Sequence, residues 1–178
     1  MASVKGNGSH GNGAATAESP LGKAEELAGF LMAHAVWCVS EGGTLPPLLA
    51  YVKDGERILA SFTAEQMKDA VQQAHAWMER NSENAERAVF VHDAYVTLEG
   101  RRMDALVANV REYAQPRMSL QIVLPYRPAS AGFAVHRPKF QAFTGIADHA
   151  ALGEAFFRGV NQHEHGARIW SESLDQSL

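Results

Sequence analysis

The chain reads as an α+β fold: an antiparallel sheet of about five or six strands covered by helices on both faces. Three observations predict it. Asp54-Gly55 sits between two apolar runs, Leu48-Leu49-Ala50-Tyr51-Val52 and Ile58-Leu59-Ala60-Ser61-Phe62, and Asp-Gly is favoured where both central residues of a hairpin turn need positive φ. Three segments repeat apolar residues at spacings of three and four, the mark of helices with one buried face. Between the second and third of these, strand-forming runs are punctuated by Glu99-Gly100, Pro116 and Pro125, so neighbouring strands are joined by short connections and pair antiparallel.

Each element follows in order. Residues 1–19 contain Gly6-Asn7-Gly8-Ser9-His10-Gly11-Asn12-Gly13 and no apolar residue larger than valine after Met1. Such a segment cannot offset the entropy of ordering itself, so a flexible tail is expected. Ser19 as N-cap and Pro20 at the first position open a helix, with Glu25 and Glu26 near the positive end of its dipole. Ala24, Leu27, Ala28, Leu31, Ala35 and Cys38 form its buried stripe, and Gly42-Gly43 stops it. Val36, Trp37 and Val39 make a strand over residues 33–39 the rival reading; the periodicity favours the helix. After the hairpin, Thr63 caps a second helix over residues 64–80, with Gln66 completing a capping box and Phe62 stapled to Met67. Its stripe is Met67, Ala70, Val71, Ala74, Trp77 and Met78.

Residues 88–98 form a long strand, Glu99-Gly100 a tight turn and residues 103–113 the return strand. Residues 118–124 alternate as a strand with one wetter face, and Pro125-Tyr126-Arg127-Pro128 breaks the chain. Residues 133–143 form a further strand that Pro138 confines to an edge or a bulge. Asp148 caps a last helix lined by Ala151, Leu152, Ala155, Phe156 and Val160. Residues 171–178 are polar and expected to fray, leaving residues 20–170 as a single globular domain.

If Glu99 and Gly100 are the two turn residues, Leu98 pairs with Arg101. Val89, Val91, Leu106, Ala108 and Val110 then share one face, and Phe90, Ala94, Val96, Leu98, Met103, Ala105 and Val107 the other. Both are apolar at their centre, so both need cover. The order helix, hairpin, helix, strands, helix resembles the profilin-like and roadblock architecture, three α/β/α layers around an antiparallel sheet. The likeness is one of topology and lends no functional residues.

Composition narrows function by exclusion. With 178 residues, 46% hydrophobic and 20% charged, the chain is long and apolar enough for one core. A formal net charge of −4 argues against a general nucleic-acid binder. The lone Cys38 excludes an internal disulfide and cysteine-based zinc sites. No run approaches the roughly 18 apolar residues of a membrane span, and no apolar segment follows Lys5 as in a secretory signal. The expectation is a soluble cytoplasmic protein without a membrane partner.

Three features could carry chemistry. His163-Glu164-His165 looks like a ligand pair, but positions i and i+2 of a helix diverge by about 200°, and the i, i+4 spacing of a zinc helix is missing. A solvated helix end with dipole-favoured histidines is the plainer reading, and His34 and His75 would meet only if their helices packed together. No metal or cofactor is expected. In the register above, Asp93 and Tyr95 share a face with Asp104, Tyr95 directly opposite it; burial could tune such a set for acid–base work. His92 falls opposite Val107, and Asn109 beside Phe90. Third, residues 101–139 hold seven Lys/Arg against the acidic Asp104 and Glu112. Arg117, Tyr126, Arg127, His136, Arg137 and Lys139 could line a basic rim for a small anionic ligand, or simply guard a sheet edge. Cys38, Trp37 and Trp77 read as packing residues, and Trp170 as one that folds back onto the body or a partner subunit. The leading expectation is a non-catalytic interaction or regulatory module acting as a homodimer, with protein partners possible; the alternative is a small enzyme or sensor for an anionic molecule at the basic rim.

Overall fold

The computed structural model describes residues 23–146 and 148–177; the tail over residues 1–19 and the Ser19-Pro20 helix start lie outside them. The described elements are α1 (Ala24–Ser40), β1 (Leu48–Lys53), β2 (Glu56–Ser61), α2 (Met67–Arg80), β3 (Arg87–Leu98), β4 (Arg101–Glu112), β5 (Met118–Arg127), β6 (Ala134–Val135), β7 (Lys139–Thr144), α3 (His149–Asn161) and α4 (Glu164–Glu172). The strands form one antiparallel sheet in the order β2-β1-β3-β4-β5-β6, with β7 also pairing β5.

Turn chemistry sets the pairing. Asp54 and Gly55 both have positive φ (51° and 76°), and Lys53 pairs with Glu56 across them. Glu99 and Gly100 do the same (49° and 76°), which places Leu98 opposite Arg101 and carries the register without a bulge to Arg87 opposite Glu112.

The register decides which side chains enter the main core. Val89, Val91, Leu106, Ala108 and Val110 pack with Leu120, Ile122 and Leu124 of β5 beneath the helices. Residues 33–39 are helical. α1 lies against β3 and β4 on one side and against α3 and α4 on others. It is therefore buried almost all round, Gly29, Met32, Ala33 and Val36 included, and the single stripe read from its periodicity is too narrow. Two glycines bring α1 and α3 into backbone contact. A Cβ on Gly159 would lie 2.7 Å from the Glu26 carbonyl carbon, its oxygen closer still, and one on Gly29 would lie 2.8 Å from the Phe156 carbonyl carbon. On the other face, Ala74 and Met78 of α2 pack on Leu49, Ala88 and Phe90. Further along, Ala105, Val107 and Val123 cluster with Ala94 and Val96 without any helical residue.

Several boundaries differ from the sequence reading, each for a local reason. α2 starts at Met67, after Gln66, with no side-chain cap. The Phe62 N–H bonds to the Pro47 carbonyl at 3.0 Å and its ring packs edge-on against Phe90; this prolongs the strand and displaces the Thr63 cap and the staple, leaving Met67 exposed. Pro125 does not end β5, because it falls where the outer edge passes from β7 to β6. There its carbonyl accepts from the His136 N–H at 2.9 Å, and the absent proline N–H lies on that same outer edge, where no ladder bond is asked of it. Pro138 splits the expected strand over residues 133–143 into β6 and β7. The expected last helix is two: Asp148 caps α3 by accepting from the Ala150 and Ala151 N–H groups, and α4 follows. Beyond α4 the chain is held rather than frayed. Val135 N–H donates to the Ser173 carbonyl and Asp175 N–H to the Val135 carbonyl, while Trp170 packs on Phe156 and Phe157, only 4% exposed.

Candidate functional site

The basic rim is divided between two ends of the sheet. Arg117 immediately precedes β5, and Arg127 closes that strand roughly 30 Å away at about 3.3 Å per residue. Around Arg127 the cations already have partners within the chain. Its Nε donates to the Gly132 carbonyl at 2.6 Å and its Nη1 reaches Asp175 at 3.4 Å. Arg137 donates to Gln176, and His136, 4% exposed, bonds the Asp175 carbonyl. The Asp175 carboxyl is held below its usual range mainly by the Ser177 hydrogen bond. Lys139 faces Val123 at the start of β7. Arg127, His136 and Arg137 fasten the C-terminal segment to the sheet.

The acid–base set is partly assembled. Tyr95 is opposite Asp104, and Asp104 opposite Tyr126, but Tyr95 is 64% exposed and stacks under Arg102. Tyr126 Oη donates to Asp93 Oδ2 at 2.9 Å. Burial raises the Asp93 carboxyl above its normal pKa, with the Tyr126 hydrogen bond opposing and Asp104 adding to the rise. Burial and the Asp93 charge push the Tyr126 phenol well above its normal value. Both groups therefore hold their protons more tightly, and the arrangement anchors Tyr126 more than it activates a base.

The histidines meet in a way the sequence did not indicate. His163 is the N-cap of α4, its Nδ1 accepting from the Gly166 N–H at 3.0 Å. It therefore sits at the positive end of that dipole, opposite to the expectation for this cluster. With Nδ1 an acceptor, neutral His163 carries its proton on Nε2 and donates to His34 Nδ1, 3.0 Å away. Burial lowers the pKa of both. His75 instead lies near Phe90 and His92. Among the described residues no group of three His, Cys, Asp or Glu is placed to hold a metal ion.

A different site emerges where β3 begins, β4 ends and β5 begins. A cavity of about 410 Å³ opens there; it is lined by Lys23, Glu25, Arg87, Glu112, Ala114, Gln115, Pro116, Met118, Gly145, Ile146, Asp148, Ala151 and Leu152. A larger volume of about 490 Å³ beside Glu79, Arg80 and Arg117 is a shallower groove. Arg87 is 8% exposed. Its Nε lies 3.3 Å from Glu112 Oε2 and its Nη2 3.5 Å from Glu86 Oε2, close enough for Coulomb attraction but too poorly aligned for hydrogen bonds. Among the described residues, Arg87 Nε and Nη1 and Glu112 Oε1 are buried without a hydrogen-bond partner. Burial raises the Glu112 carboxyl above its usual range, Arg87 opposing. A buried charge with unmet hydrogen bonds is expensive, so such a group beside a cavity calls for a physical explanation.

The starts of two helices frame this cavity. Lys23 is the N-cap residue of α1, with no side-chain cap, and Asp148 caps α3; their positive ends favour negative charge nearby. The charged groups of the lining are Lys23, Glu25, Arg87, Glu112 and Asp148. Arg87 and Glu112 were not singled out from sequence, yet the register set by Glu99-Gly100 already pairs them when extended to the strand ends. Compared with protein-family models, curated proteins and solved structures, the chain matches none of them.

Proposed function

We propose that this protein is a non-catalytic regulatory module that binds a small molecule through its carboxylate or another anionic group in the cavity around Arg87. The observation that carries the reading is that Arg87, whose guanidinium is buried with Nε and Nη1 lacking a partner among the described residues, contributes to the lining of a 410 Å³ cavity. That volume lies in the range of small-molecule sites, about 300–1,000 Å³, and arginine suits bidentate recognition of carboxylate or phosphate. The basic rim around Arg127 supports the reading less well, since its cations hold the C-terminal segment. The test is thermal unfolding against a panel of small carboxylates, phosphates and sulfonates, with the wild type and the Arg87→Met/Glu112→Leu double variant side by side. At least one compound should raise the wild-type midpoint and leave the variant unmoved. Equal response of both proteins to every compound refutes the reading.

A second reading, self-association as a homodimer, is favoured by β2. It is the outermost strand of the sheet and exposed along most of its length, with Leu59 55% exposed. An open edge can pair with a second copy, although Glu56 and Arg57 place charge at one end. Native mass spectrometry of the wild type and Leu59→Lys addresses it: a dimer lost in the variant supports pairing through β2, and a strict monomer at high micromolar concentration ends it.

A further inference from the structure

Resting on the ligand-binding reading, we infer that the ligand of the Arg87 cavity is a free α-amino acid with an apolar side chain, recognised as a zwitterion. Three features of the cavity select this class over a simple anion. The unmet hydrogen-bonding capacity is of both kinds: Arg87 Nε and Nη1 are donors and Glu112 Oε1 is an acceptor, all three shielded from the cavity until the 3.3 Å contact between the two side chains opens. Because Arg87 and Glu112 are direct cross-strand partners, their side chains stand side by side at the spacing of opposed residues, Cβ atoms about 4.5–5.5 Å apart. An α-amino acid carries its carboxylate and ammonium one carbon apart, so one molecule inserted between the two side chains can pair with both.

Charge leads to the same class. Two cations, Lys23 and Arg87, and two carboxylates, Glu25 and Glu112, line the cavity, while Asp148 is engaged as the cap of α3. A phosphate would bring up to two negative charges against Glu25 and Glu112 with no matching excess of cations. A zwitterion adds no net charge and gives each buried group an opposite partner. Its carboxylate also benefits from the helix starts at the rim. The remaining wall is apolar: Met118, Ile146, Ala151 and Leu152. An aliphatic or aromatic side chain would be removed from water there, and the burial of its apolar surface favours its entry.

The experiment is isothermal titration of the full-length protein with apolar L-amino acids from alanine to phenylalanine. The tightest binder is then compared with its deaminated acid, its decarboxylated amine and inorganic phosphate. With leucine as the example, the analogues are 4-methylpentanoate and 3-methylbutylamine. A hydrogen bond to a charged group contributes about 1.5–3 kcal/mol, so each analogue should bind roughly 10- to 100-fold more weakly. In Glu112→Gln the advantage of the amino acid over the deaminated acid should collapse, while affinity for the acid alone is retained. This comparison is internal to one folded protein and does not depend on the variant's stability. If the acid or phosphate binds wild type as tightly as any amino acid, the zwitterion inference fails and the anion reading stands. If no amino acid, acid or phosphate binds, both fail.

Discussion

Replacing Arg87 by methionine removes the guanidinium while keeping an apolar side chain of similar reach. Glu112 is left behind, its carboxyl already raised by burial and its side chain 17% exposed. Breaking a buried ion pair from one side costs about 3–5 kcal/mol, because the survivor is an uncompensated charge. Glu112 limits this loss by taking up a proton, so the low end, about 3 kcal/mol, is expected near neutral pH. The carboxyl pKa in Arg87→Met should rise further than in wild type, so that the variant loses stability as the pH climbs through it. Arg87→Met/Glu112→Leu removes both charges. Because the wild-type pair makes only poorly aligned contacts at 3.3 and 3.5 Å, the double variant should be within about 1 kcal/mol of wild type or more stable. Urea unfolding followed by tryptophan fluorescence measures all four corners of the cycle. A double variant as unstable as Arg87→Met would refute the argument, since the pair would then be contributing packing or hydrogen bonds that its geometry does not provide.

Three further outcomes follow from the fold. Gly159→Ala forces α3 away from the Glu26 backbone of α1 and should lower stability by about 1–3 kcal/mol, although alanine gains roughly 1 kcal/mol in helix propensity; an unchanged urea midpoint would show that the helices are not in contact there. His34 and His163 have folded pKa values below 6.5, so the folded state binds fewer protons than the unfolded chain. Their contribution is whole above pH about 6.5 and is lost as pH falls from there toward the folded values. His163→Asn keeps an N-cap acceptor for Gly166 but cannot titrate, and its stability should fall less than wild type between about pH 7.5 and 5.5; identical slopes would contradict the neutral pairing. Tyr126→Phe removes the hydrogen bond that opposes the rise at Asp93, so NMR titration should place that carboxyl higher than in wild type, and a lower value would count against the contact.

Turn chemistry made the middle of the sheet legible. Asp54-Gly55 and Glu99-Gly100 each admit two consecutive residues at positive φ, and from them every pair between β3 and β4 follows, Tyr95 opposite Asp104 among them. The Asp148 cap was equally local. Legibility ended where distant segments compete. Nothing near Thr63 reveals that Phe62 will continue the ladder by bonding Pro47, and nothing near Pro125 reveals a gap in strand pairing beside it. The candidate site shows the same division. The facing of Arg87 and Glu112 was contained in the register, but their burial depends on the starts of α1 and α3, more than sixty and thirty-five residues away from Arg87 and Glu112 respectively. His34 and His163 are 129 positions apart and meet only because α4 packs on α1. The charge excess over residues 101–139 was real as a count, yet the fold distributes it between a C-terminal clasp and the opposite end of β5.

The central claim is that the poorly aligned contact between Arg87 and Glu112 opens to admit a third group. The most direct measurement is a high-resolution crystal structure of the full-length protein grown with its tightest-binding amino acid. The account predicts a bound molecule with a carboxylate oxygen within hydrogen-bond distance of Arg87 Nη1 and a nitrogen at Glu112 Oε1. A guanidinium closed directly onto Glu112 in a two-pronged pair, with only water in the cavity, would contradict it.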